Sequence, residues 1–214
     1  MRRPGTPLIV VGLLLSLVPA TFAPVGAWGR ELSGFPLIGT ELLWWVLVAA
    51  TLLYVAFVER RPFSSIGFRR PRILDIVVAV ITGVLMVVGI VLIYFHLFPA
   101  LGLHMNDGEM GKLMNTPYWY RVLLVTRAAV AEETLFRGYP LERLQEWTGS
   151  RWLAAIVTWA AFTYAHLSGW GAAQLIVAGF GGVLLTALYV WRRNLWANML
   201  AHWIADGAGF LLPH

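Results

Sequence analysis

Seven mostly apolar stretches of membrane-spanning length follow one another along the chain, and that repetition restricts the fold more than any other feature. A helix crossing the hydrocarbon core of a bilayer needs about 20 such residues, and only helices or closed barrels satisfy every backbone hydrogen bond there. The stretches lie at about residues 7–27, 38–58, 74–98, 118–146, 152–168, 171–191 and 195–212. With 59% hydrophobic residues in 214 and a mean hydropathy of +0.71, a soluble domain could not cover so much apolar surface. The expected fold is all-α: a polytopic integral membrane bundle of about seven transmembrane helices, forming one domain over residues 1–214.

The net charge of +5 does not indicate nucleic acid. Its basic residues fall in short clusters between apolar runs, which makes the lipid bilayer the partner they suit. Arg2 and Arg3, then Arg60, Arg61, Arg69, Arg70 and Arg72, then Arg143 and Arg151, then Arg192 and Arg193 fall on one side of a seven-helix topology. Arg30 and Lys112 fall on the other. This places the N-terminus in the cytoplasm and the C-terminus outside. The first stretch resembles a signal peptide, but Ala20-Thr21-Phe22-Ala23 is a poor cleavage site, so an uncleaved first helix is expected. Cysteine is absent, which removes disulfides, thiolate metal sites and a cysteine nucleophile.

Trp44, Trp45, Tyr118 to Tyr120, Trp147, Trp152, Trp191 and Trp196 fall near the expected helix ends, as an interfacial belt would. Glu59 to Arg72, with Phe63, Ile66 and Phe68 among its arginines, suits the cytoplasmic surface against anionic lipid. Pro99 to Pro117 reads as a long irregular surface loop. Gly138 and Pro140 interrupt the fourth span, and the helix-friendly residues beyond them predict a long, kinked fourth helix.

Ionisable residues inside apolar spans are costly and usually functional. Glu132 and Glu133 are adjacent in the fourth span, and Arg137 follows one turn after Glu133. On a helix Glu133 and Arg137 share a face and can pair. Glu132 points about 100° away and is the less compensated carboxylate. Such a group has a raised proton affinity, as a general base acting on water requires. His166 lies in the fifth span, four residues after Phe162, and His202 lies in the seventh, four before Asp206 and four after Asn198. At 1.5 Å per residue, Glu132 and His166 lie roughly 22 Å above the cytoplasmic helix ends, and His202 and Asp206 roughly 12 and 18 Å. No His-Glu-x-x-His or Gly-x-Ser-x-Gly motif is present.

These three groups in this order, Glu132-Glu133-x-x-x-Arg137, Phe162-x-x-x-His166 and His202-x-x-x-Asp206, resemble the CPBP family of CAAX-prenyl-protease and bacteriocin-processing relatives, also called the abortive-infection family. The resemblance covers roughly residues 115–212. It divides the domain into N-terminal helices, 1–114, with no matching motif, and a catalytic core, 115–214. It implies a glutamate-dependent intramembrane endopeptidase of a prokaryotic plasma membrane, acting on a membrane-associated protein or peptide. Carried onto this chain, Glu132 activates water, His166 orients it, His202 and Asp206 stabilise the oxyanion, and Glu133 with Arg137 holds the geometry. The final position is Asn in some members and Asp here. No cofactor is required by this reading. A zinc enzyme would use Glu132, His166 and His202, a sufficient ligand set with one open position. Two other functions keep ionisable groups at membrane depth: an ion-coupled transporter and a non-catalytic peptide-binding protein.

Overall fold

Prolines, glycines and capping side chains set where the helices begin and end. A computed structural model describes residues 5–22, 36–104 and 107–212, which are helical apart from turns and short connections. The long helices are α1 (Thr6–Phe22), α2 (Pro36–Leu53), α3 (Ile73–Leu92), α4 (Asp107–Met114), α5 (Tyr118–Glu132), α6 (Tyr139–Thr148), α7 (Arg151–Ala165), α8 (Gln174–Arg192) and α9 (Leu195–Phe210). Ser150 caps α7 by accepting from the Leu153 amide at 3.2 Å, and Asn194 caps α9 by accepting from the Trp196 amide at 3.0 Å. Arg2, Arg3, Arg30 and the end of the first expected span lie outside the described residues.

Among the described residues, Glu41–Val58, Ile73–Leu101 and Gln174–Arg192 are long and apolar enough to cross a bilayer. The other expected spans are shorter or more charged. Helices α7 and α9 have 15 and 16 residues, or about 22–24 Å of rise against a core of about 30 Å. Helix α5 carries Arg121, Arg127 and Glu132. The outer face of α3, with Ile73, Val77, Val80, Val84 and Val88, is exposed, as befits an integral membrane protein whose solvent there is lipid.

Helical backbone continues from Tyr118 to Thr148, with its middle, Glu133–Gly138, wound as a π turn. Helix α5 and this turn pack against α2 and α9, while α7 packs against α6 and α8, and α3 lies along α9. Ala178 and Gly182, small residues on α8, serve contact within the chain. Ala178 joins the cluster around Phe162, and a Cβ at Gly182 would stand 3.0 Å from Phe162 and Trp159. The stretch 99–117 is not wholly irregular, because it contains α4. Nor do all the expected belt residues face outward: Trp119, Trp147, Trp152, Trp191 and Trp196 are exposed, but Trp44 and Tyr120 are buried.

The connection 59–72 is stapled to the bundle. Arg143 binds Glu59 at 2.6 Å and the Ser65 hydroxyl at 3.0 Å, and Arg61 pairs with Glu146 at 2.7 Å. The Leu195 amide donates to the Gly67 carbonyl at 2.8 Å. Ile66 is buried and Phe68 packs on Trp196, so Phe63 alone of the three apolar residues is exposed. Nearby, Arg192 pairs with Asp75 at 2.7 Å and Arg193 with Glu142.

Gly67 has φ +94°, and a Cβ there would lie 2.4 Å from the Tyr189 hydroxyl. Gly102 has φ +64° with nothing near such a Cβ. Gly67→Ala is therefore expected to destabilise the protein by about 3 kcal/mol or more, against about 1 kcal/mol for Gly102→Ala. Thermal unfolding in detergent measures the difference; equal losses would show that the Tyr189 contact is unimportant.

Candidate active site

The π turn begins directly after Glu132 and carries both Glu133 and Arg137. Both side chains are fully buried, and Arg137 Nη1 lies 2.8 Å from Glu133 Oε1. The same oxygen meets His202 Nδ1 at 2.9 Å, while Asn198 Nδ2 donates to Glu133 Oε2 at 3.0 Å. Burying an ion costs several kcal/mol. Hydrogen bonds to a charged group contribute about 1.5–3 kcal/mol each, so three such partners offset a cost of that size.

Arg137 is satisfied differently. Its Nε and Nη2 have no hydrogen-bond partner, but its guanidinium lies 3.8 Å from the Phe162 ring centroid. That cation–π contact covers the face of the cation with negative π density. The Phe162 ring also contacts Phe136, with centroids 5.4 Å apart, and His166, at 4.7 Å. Phe162 thus braces both the arginine and an imidazole.

The two histidines turn the same atom toward Glu132. His166 Nδ1 lies 2.8 Å from the Phe162 carbonyl. A carbonyl only accepts, so Nδ1–H donates and Nε2 is left for the site. By the same reasoning His202 donates from Nδ1 to the Glu133 carboxylate. Its Nε2 lies 3.4 Å from Asp206 Oδ2. Glu132 Oε2 is 3.9 Å from His166 Nε2 and 4.0 Å from His202 Nε2. These separations exceed a direct hydrogen bond and suit one intervening water. Glu132 Oε2 is buried and has no hydrogen-bond partner.

The structure thus brings together all six residues singled out from the sequence. Glu132, Glu133, Arg137, His166 and His202 are buried or half-buried, and Asp206 is the most exposed at 25%. Glu132 is less compensated than Glu133, which has three close partners, but it is not without one. Arg127 Nη1 reaches its Oε1 at 3.4 Å, because a long side chain on the preceding turns spans the gap. Arg127 is held in turn by Glu41, with Nε 2.9 Å from Oε2. Sequence reading missed both residues, although the signal was the one that exposed Glu132: a charge inside an apolar span. Asn198 was placed on the His202 stripe, but its partner Glu133 lies on another helix. Among the described residues, no group of three or more His, Asp or Glu is arranged to hold a metal ion.

Arg137→Ala leaves Glu133 buried without its cation and is expected to cost about 3–5 kcal/mol. Arg137→Lys keeps the charge but loses the planar stack on Phe162, for about 1–2 kcal/mol. Denaturant unfolding of the purified protein tests this order; a lysine variant as unstable as the alanine variant would refute the stacking argument.

Residues 114–208 match the family described as Type II CAAX prenyl endopeptidase Rce1-like. No curated protein matches the chain, and no solved structure does. The matched segment contains all three motif groups, from Glu132 to Asp206. This is the grouping those motifs resemble, and over this segment, a little under half of its length, the chain is similar to the Rce1-like CAAX prenyl endopeptidases.

Proposed function

We propose that the protein is an intramembrane endopeptidase that hydrolyses a peptide bond of a membrane-associated protein or peptide, with Glu132 as general base. The observation that carries this reading is the unpartnered Oε2 of Glu132, facing two imidazole Nε2 atoms at 3.9 and 4.0 Å. Water between Glu132 and His166 meets two acceptors. It donates one hydrogen to the carboxylate and one to Nε2, which aims an oxygen lone pair away from both.

That lone pair attacks the substrate carbonyl carbon as Glu132 takes the proton. The C–O bond forms, and the carbonyl oxygen becomes an oxyanion. His202, as an imidazolium held between the carboxylates of Glu133 and Asp206, donates to it from Nε2. Glu132 then gives its proton to the leaving nitrogen as the C–N bond breaks. Arg137, Asn198 and Phe162 keep Glu133 and the imidazoles in place. The proposed topology has seven spans in a prokaryotic plasma membrane. The N-terminus and the arginine-rich connections are cytoplasmic, and the C-terminus is outside.

Cleavage of an internally quenched peptide library in detergent tests the reading. Glu132→Ala and Glu132→Gln are expected to reduce cleavage by about 10²–10⁴-fold, and His166→Ala by about 10²-fold, without an ion gradient. Chelator is expected to have no effect. Full activity in Glu132→Gln would end the general-base assignment, and loss of activity in chelator with recovery on adding zinc would move Glu132, His166 and His202 to a metal site.

A further inference from the structure

Two buried ionic residues beside the general base, Glu41 and Arg127, take no part in the proposed hydrolysis. Glu41 on α2, Arg127 on α5 and Glu132 are 3%, 4% and 7% exposed. Arg127 Nε lies 2.9 Å from Glu41 Oε2, and Nη2 lies 3.4 Å from Oε1. The Tyr120 hydroxyl donates to that same Oε1 at 3.3 Å. Trp44 lies under the guanidinium, 5.3 Å from ring centroid to Cζ. The edge of the guanidinium is thus fixed by Glu41 and its face by Trp44. The remaining nitrogen, Nη1, reaches Glu132 Oε1 at 3.4 Å.

We propose that Arg127 and Glu41 are positioning residues for the general base. Glu41 clamps the guanidinium, and Arg127 engages Oε1 of Glu132, so that Oε2 is the oxygen turned toward the two imidazoles. The inference rests on the general-base reading of Glu132. It adds a contribution from α2, a helix outside the segment that matches the family.

A purely structural ion pair gives a different expectation. Two buried charges hold helices together no better than well-packed apolar side chains of similar size, and replacing both is often neutral or stabilising. What apolar side chains cannot do is select one oxygen of a carboxylate. A general base displaced by about 1 Å can lose about 10²-fold in rate. The arrangement therefore predicts a loss in turnover separate from any loss in stability.

The test uses the full-length protein in detergent and the library peptide that wild type cleaves and Glu132→Ala does not, with kcat, KM and thermal midpoint measured for each variant. Arg127→Ala is expected to lower kcat by about 10²-fold with KM little changed, and Arg127→Lys to recover part of the loss. Glu41→Gln is expected to lower kcat by about tenfold, and adding it to Arg127→Ala to cost nothing further, because Glu41 acts through the guanidinium. The paired apolar replacement, Glu41→Leu with Arg127→Met, is expected to melt no lower than Arg127→Ala alone, because it does not strand Glu41, yet remain slow. Wild-type kcat in that paired variant overturns the proposal and leaves a structural role, while the inactivity of Glu132→Ala still supports the protease reading. Additive losses from Glu41→Gln and Arg127→Ala also overturn it. A Glu132→Ala enzyme that cleaves every library peptide as wild type does would remove the general base itself.

Discussion

The carboxylate of Glu133 is the joint on which the site depends. In hydrocarbon an ion survives only with its hydrogen-bonding capacity filled. Glu133 fills it from two separate parts of the chain: Arg137 on its own π turn, and Asn198 with His202 on α9. Because His202 gives its Nδ1 hydrogen to this carboxylate, its other nitrogen is directed toward Glu132 and Asp206. One buried charge thus closes the helix pair and also sets the orientation of an imidazole.

A division of labour between the adjacent glutamates follows. Glu133 is surrounded and saturated, while Glu132, one residue earlier, keeps one oxygen without a hydrogen bond. The backbone places them on different faces, so neighbours in sequence have opposite environments. The π turn that starts between them carries Arg137 to the Phe162 ring, where a cation with two unpartnered nitrogens is covered by an aromatic face. Wide turns of this kind recur at functional sites, where they aim side chains a regular helix would turn elsewhere.

Away from the site, the polar residues at the arginine-rich end have a different use. Arg143 with Glu59, Arg61 with Glu146 and Arg192 with Asp75 tie the connection 59–72 and the adjoining helix ends together. Several arginines that count toward the positive-inside pattern are therefore also internal staples. A charge census along the chain cannot separate these roles, because both place arginine just beyond an apolar run.

The helical class was legible in the sequence because the bilayer leaves a chain so apolar little alternative, and Glu132, Glu133, Arg137, His166, His202 and Asp206 were legible because charge and imidazole are conspicuous in apolar surroundings. The i,i+4 pairing of Glu133 with Arg137 was equally readable, since helix geometry alone brings such residues together. Tertiary structure decided what depends on contacts between distant segments: Glu41 reaching Arg127 from α2, Asn198 and His202 sharing Glu133, and Trp44 turned inward beneath a guanidinium instead of toward an interface. Periodicity along one helix says which side chains share its face; only packing between helices says what that face meets.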